Sequence, residues 1–238
     1  MQTKSVKKVN DKIKLNDETF KQFITTLKEE GFIVFTNFMQ NVFLYQHQGQ
    51  LFNKRASYIE ELFSLLNPNA SLTYDPEKDR VKISGTPILT YTPVSGLMFK
   101  GLDLQGTSFS ESYFLNSVMN LEYLNLSRTG LINIHPVYSM KNLKHLDISG
   151  TPIRSLLVHN SHIKMDYLNL SSTLLTNYKG KQREVDTVDL SNCYSLDPIS
   201  IFTVAYPPKT VILNESQIAQ YPDFYIKAEK KNIRIILK

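Results

Sequence analysis

A pair of aliphatic residues, one position apart, recurs along this chain at a spacing close to 22. The pairs are Val81/Ile83, Leu102/Leu104, Leu124/Leu126, Leu146/Ile148, Leu168/Leu170, Val188/Leu190, Val211/Leu213 and Ile233/Ile235. Their first members lie 21, 22, 22, 22, 20, 23 and 22 residues apart. Alternation of period two makes each pair a short strand with both aliphatic side chains on one face. One such strand cannot bury that face alone. Successive units must stack at a strand spacing of about 4.8 Å and share a core. A recurrence of this kind constrains the architecture more than any local signal. It also accounts for the segment Ser-Gly-Thr-Pro-Ile, which occurs at 84–88 and again at 149–153, the same place in two units three apart.

Five residues beyond each first member stand Thr86, Thr107, Thr129, Thr151, Thr173, Cys193 and Ser216. A ladder of small polar side chains there can satisfy backbone groups from one unit to the next where the strands end. Within that series Cys193 reads as a buried, inert thiol rather than a nucleophile. Two positions further on, Ile88, Phe109, Leu131, Ile153, Leu175 and Ile218 are apolar, and only Ser195 breaks the row. Thr92-Pro93-Val94, His135-Pro136-Val137, Asp197-Pro198-Ile199 and, more loosely, Tyr221-Pro222-Asp223 place proline where a short 3-10 segment or turn begins. Lys179-Gly180-Lys181 reads as a protruding loop.

The combined pattern, LxxLxLxx(T/C/N)x(L/I), resembles the leucine-rich repeat family, in its short, 22-residue, internalin-like class, over about Val81–Lys238. The resemblance implies an α/β fold: a right-handed solenoid with parallel strands on a concave face and 3-10 segments or turns on the convex face. Leu66-Asn67-Pro68, followed by Ile83-Ser84-Gly85-Thr86 and Thr92-Pro93-Val94, is similar more loosely to the repeat tails of certain bacterial serine/threonine kinases. That likeness implies the recognition tail of a signalling kinase. None of the kinase's own motifs is in the sequence: no glycine-rich phosphate loop, no HRD-type loop, no DFG.

Three segments follow. Residues 1–16 form a basic leader with five lysines and one aspartate, which accounts for four of the formal +5 charges. Such a run reads as a solvated tail. Residues 17–78 are expected to form a mainly helical N-terminal cap over the open end of the stack, and 79–238 the repeats. In the cap, Phe20, Phe23, Ile24 and Leu27 fall on one helical face, with Asn16 or Asp17 to start the helix and Gly31 to end it. Ser57–Glu60 reads as a capping box opening a second helix that buries Ile59, Leu62, Phe63 and Leu66 and stops at Asn67-Pro68. Phe32–Phe52 fits a helix or a β-hairpin equally well. At the far end, Lys227, Lys230 and Lys231 protect the last strand from edge-to-edge pairing.

Residues between the aliphatic pairs face away from the core, in three rows. Tyr123, His145, Tyr167 and Thr187 form one, Asp103, Asn125, Asp147, Asn169 and Asp189 the next, and Gln105, Ser127, Ser149, Ser171 and Ser191 the third. Tyrosine offers large amphipathic contact area and is enriched at interfaces. The candidate partner-binding residues are Tyr123, Asn125, His145, Asp147, Tyr167, Asn169 and Asp189, and the partner expected is a protein. Ser149, His145 and Asp147 do not make a catalytic triad, because residues two apart on one strand lie about 6–7 Å apart. His159 and His162 lack further zinc ligands nearby. No catalytic residue, metal or cofactor is expected. One cysteine excludes an internal disulfide. No apolar run reaches the 18–20 or so residues of a membrane span, and no apolar segment follows the first lysines as in a signal peptide, so a cytoplasmic setting is expected. Two other readings stand beside protein binding. The chain could belong to an enzyme, a serine/threonine kinase whose catalytic domain is absent here. Alternatively, the lysine-rich leader could bind an anionic surface or nucleic acid, although nucleic acid is not the partner expected.

Overall fold

The computed structural model describes residues 18–36, 42–45, 51–110, 112–156, 164–178 and 184–238. Asn16, Asp17, the basic leader, His159, His162 and Lys179-Gly180-Lys181 lie outside the described residues. The described elements are α1 (Glu18–Glu29), β1 (Ile33–Thr36), β2 (Val42–Tyr45), α2 (Leu51–Leu66), β3 (Ala70–Asp75), β4 (Arg80–Gly85), β5 (Gly101–Asp103), β6 (Tyr123–Asn125), β7 (His145–Asp147), β8 (Met165–Asn169), β9 (Val185–Asp189), β10 (Thr210–Leu213), α3 (Glu215–Ile218), α4 (Phe224–Lys230) and β11 (Arg234–Leu237). The fold is α/β, built on a nine-stranded sheet in which β3 to β11 follow one another in chain order. Every pairing in it is parallel except β3 with β4.

The aliphatic pairs set the register. Val81 lies opposite Leu102, then Leu102 opposite Leu124, Leu124 opposite Leu146, Leu146 opposite Leu168, Leu168 opposite Val188, and Val188 opposite Val211. The last rung departs from the sequence expectation. Val211 faces Ile235 and Leu213 faces Leu237, so the terminal pair is Ile235/Leu237 and not Ile233/Ile235. Ile233 is occupied elsewhere. Asn232 takes a left-handed φ of 54°, its N–H and that of Ile233 donate back to Glu229 and Ala228, and Ile233 is buried with Ala228 under the end of α4. This Schellman closure uses an aliphatic residue just beyond the helix, and the strand begins after it. The same closure ends α1: Gly31 (φ 87°) donates to Lys28, Phe32 donates to Leu27, and both apolar partners are buried.

The described N-terminal segment combines the helices α1 and α2 with the strands β1, β2 and β3. Within Phe32–Phe52 the described residues hold an antiparallel strand pair, β1 with β2, and the start of α2. β3 joins β4 in the main sheet, so one hydrophobic cluster runs from Phe20 to Ile233. The second helix starts six residues before Ser57, at Leu51, and breaks its geometry at Arg55 (φ −141°, ψ 27°). Glu60 accepts the Tyr74 N–H at 2.9 Å, which blunts the outer edge of β3. Asn67 does more than end α2. Wholly buried, it donates to the carbonyls of Phe63 and Thr90 and accepts the N–H groups of Leu89 and Thr90 at 2.7 and 2.9 Å. One amide thus ties the end of α2 to the turn after β4.

The small polar row also differs from expectation. The hydroxyls of Thr107, Thr129, Thr151 and Thr173 each donate to the carbonyl three residues earlier, inside their own unit, at 2.7–2.8 Å. Cys193 alone in this row reaches a carbonyl in the neighbouring unit, that of Leu170 at 3.0 Å. Backbone bonds also link the units, such as Leu126 N to Asp147 O and Ile148 N to Asn169 O. The two Ser-Gly-Thr-Pro-Ile copies are not equivalent. Thr151 is buried, whereas Thr86 is exposed, because pairing with β3 extends β4 to Gly85 and carries the chain past the point where the other strands end. Ser216 is likewise exposed, in α3. Its neighbour Gln217 fills the place, donating to the carbonyls of Leu190 and Cys193. Between the strands, 3-10 segments at Thr92–Val94, Ser112–Ser117, His135–Ser139 and Pro198–Thr203 return the chain, three of them opened by the buried Pro93, Pro136 and Pro198. The looser Tyr221-Pro222-Asp223 precedes the α-helix α4 instead.

Candidate binding face of the sheet

Tyr123, His145 and Tyr167 stand in one row across β6, β7 and β8, directly opposite one another in register. His145 is exposed and the tyrosines are half-buried. The rings of His145 and Tyr167 lie 6.4 Å apart. The row extends further towards the N-terminus than the sequence indicated. Arg80, on β4, crosses Gly101 and sets its guanidinium 3.4 Å from the centre of the Tyr123 ring. A Cβ at Gly101 would come within 2.9–3.1 Å of the Arg80 side chain, so this reach depends on glycine. Burial pushes the Tyr123 phenol above its ordinary pKa, with the Arg80 charge acting the other way, and burial likewise raises Tyr167. Both are neutral phenols at physiological pH, amphipathic surfaces rather than acids.

The second row, Asp103, Asn125, Asp147, Asn169 and Asp189, has a different role. In each, Oδ1 accepts the backbone N–H two residues on, at 3.0 Å for Gln105, Ser127, Ser171 and Ser191 and 2.9 Å for Ser149. These are Asx turns that end each strand and turn the chain towards the core. Asn125 is 7% exposed and Asp189 1%. Alternation of Asp with Asn also has a local cause: Asn169 donates its amide to the second oxygen of Asp147 at 3.0 Å, which a carboxylate in its place could not do. Asp189 further accepts the Ser191 hydroxyl and the ammonium of Lys238, which reaches back from the last rung. Of the residues singled out in the sequence, Tyr123, His145, Tyr167, Asp147 and Asn169 keep solvent-facing surface, while Asn125 and Asp189 lie beneath it. Beyond Asp189 the row turns apolar, with Ile212 opposite Ile236.

A feature absent from the sequence reading lies two residues before each pair's first member. Lys100, Glu122 and Lys144 sit there in consecutive rungs, with Glu122 bridging both lysines at 3.8 and 2.7 Å. Asp186, at the same position of its rung, bridges Lys209 in the next rung at 2.9 Å and Lys164, which lies two residues before that position in the preceding rung, at 3.3 Å. Hydrogen bonding from Lys144 holds the Glu122 carboxyl below its usual range, and Lys209 does so for Asp186. Once the register is known, the alternation of sign at this position from Asp79 through Lys100, Glu122 and Lys144 to Asp166 is visible in the sequence.

Chemically the described residues of the face offer hydrogen bonds, ring surfaces and a few charges. Both oxygens of Asp147 are engaged by Ser149 N–H and Asn169, so neither orients His145. Cys193 is buried, and burial raises its thiol pKa. Among the described residues no group of three or more His, Cys, Asp or Glu could hold a metal ion, and no helix is long and apolar enough to cross a membrane. An open depression of about 390 Å³ lies at the strand ends between Ser172, Leu174, Asn192 and Tyr194. Compared with known proteins, the chain matches no family model, and no curated protein matches it significantly.

Proposed function

We propose that the chain is a non-catalytic protein-binding module of leucine-rich repeat type, a curved solenoid that presents the free face of its parallel sheet to a protein partner. The observation that carries this reading is the division of labour between two adjacent rows. The Asn and Asp side chains are committed to ending strands, whereas Arg80, Tyr123, His145 and Tyr167 form a continuous aromatic and cationic row that satisfies no backbone group among the described residues. Rigid aromatic groups on a stiff scaffold, flanked by half-buried polar groups, are what interface cores favour. Asp103, Asp147 and Lys82 beside the row give the charged rim that sets orientation. The looser likeness of Leu66-Asn67-Pro68 and its following turns to kinase repeat tails makes the recognition arm of a signalling kinase the setting we favour.

The test is quantitative affinity capture with the purified chain, comparing wild type with His145→Ala plus Tyr167→Ala and with deletion of residues 1–16, followed by titration of the captured protein in purified form. Loss of at least tenfold in affinity for the double variant, with an unchanged melting temperature and no loss on deletion of the leader, supports the reading. Retention by the double variant together with loss on deleting the leader, and a steep fall with salt, would assign binding to the lysines instead.

A further inference from the structure

Arg80 stands at the β4 end of the aromatic row with its hydrogen-bonding capacity unspent. Among the described residues it forms no ion pair, and its buried Nε–H has no acceptor. A buried, unpaired donor on a charged group is unfavourable and needs a physical account. The carboxylates nearest in register are engaged elsewhere. Asp75, opposite Arg80 on β3, accepts the N–H groups of Glu77 and Lys78 and pairs with the Lys78 ammonium. Asp79 accepts the Tyr74 hydroxyl at 2.6 Å, and Asp103, one row over, accepts the Gln105 N–H. The guanidinium lies instead against the Tyr123 ring, across the gap left by Gly101. Held in this way, its planar fork loses little freedom when it takes a carboxylate.

Charge selects the anion. Lys82, exposed in the next row and opposite Asp103, forms no ion pair among the described residues and adds a second positive charge. The carboxylates of Asp103 and Asp147 stand near enough to act on the Tyr123 phenol. A single carboxylate suits that balance, whereas both aspartates would repel a dianionic phosphate. Resting on the reading that the aromatic row receives a protein, we infer that Arg80 anchors an Asp or Glu side chain of that partner. The carboxylate takes the guanidinium fork, and an aromatic residue beside it in the partner lies against His145 and Tyr167.

The probe is the capped dipeptide acetyl-glutamyl-phenylalanine amide, titrated into chain carrying isotope-labelled arginine and followed by NMR at the Arg80 Nε–H. The glutaminyl and phosphoseryl analogues are the controls. A saturable shift of the Arg80 signal is expected, with the glutamyl peptide at least about fivefold tighter than the glutaminyl one. Arg80→Gln should abolish that preference. Arg80→Glu should reverse it towards the lysyl analogue, which a merely structural role of Arg80 would not produce. Gly101→Ala, which pushes the side chain off its ring, should weaken the glutamyl peptide at least about threefold with the arginine still present. The wild-type comparison of the peptides decides even if a variant fails to fold. No saturable shift, equal affinity for the glutaminyl peptide, or tighter binding of the phosphoseryl peptide would each overturn the assignment. With the captured protein, loss of binding in His145→Ala plus Tyr167→Ala but not in Arg80→Gln would overturn the arginine anchor and leave the binding face standing. Retention in both variants would overturn the face itself.

Discussion

Replacing Asn125 by alanine separates the structural row from the presenting row. The Asn125 Oδ1 is the acceptor, at 3.0 Å, for the N–H of Ser127, which is itself only 3% exposed. Alanine leaves that N–H inside the protein without a partner, and an orphaned buried donor costs about 1–3 kcal/mol. Taking about 2 kcal/mol, and about 2–4 °C per kcal/mol for a chain of this size, the midpoint should fall by roughly 4–8 °C. Asn125→Asp retains the acceptor, as Asp103 and Asp147 do in the neighbouring rungs, and should cost less than alanine, the remainder being repulsion from those carboxylates. His145→Ala, one row over on an exposed position, should stay within about 0.5 kcal/mol. Circular dichroism melts and urea titrations of the three variants measure this. If Asn125→Ala proves as mild as His145→Ala, the Asx turns are not what ends the strands.

Four further outcomes are expected. Asn67→Ala, which strands the N–H groups of Leu89 and Thr90, should destabilise by about 3–5 kcal/mol in the same melts, the largest single effect among polar residues. Gly85→Ala should cost about 3 kcal/mol or more, because a Cβ there would sit 2.3 Å from the Asn69 carbonyl oxygen, whereas Gly106→Ala, in open space, should cost about 1 kcal/mol for its left-handed φ alone. Tyr178→Phe should leave the midpoint unchanged or raise it, since the ring is wholly buried and its hydroxyl has no partner among the described residues. Glu122 and Asp186 have carboxyls held low by their lysines, so their stabilisation is complete above the ordinary carboxylate range and fades as pH falls below about 4. Melts from pH 7 to 3 should therefore be flatter for Glu122→Gln with Asp186→Asn than for wild type.

The sheet was legible in the sequence because its signal is repeated: aliphatic pairs from Val81 to Val211 fall in the predicted register. The eighth pair went astray by two residues because Ile233, Ile235 and Leu237 are all aliphatic, and only the left-handed Asn232 reveals which one closes a helix. Polarity alone could not divide the candidate site. Asn125 and His145 both read as outward polar residues, yet their burial depends on how neighbouring rungs tile above them and on an Asx bond made by one and not the other. Arg80 escaped notice because its contact with Tyr123 spans two rungs and depends on Gly101 having no side chain. The hairpin was left open because an apolar run of that length satisfies either period.

Site-specific photocrosslinking in cells of the source organism tests the binding face most directly. A benzophenone side chain is placed at His145 in one version of the chain and at Tyr113, 83% exposed in the 3-10 segment Ser112–Ser117 and outside the strand rows, in another. A discrete protein adduct at 145, reduced by Tyr167→Ala and absent at 113, is the predicted result. Adducts at 113 with none at 145 would contradict it.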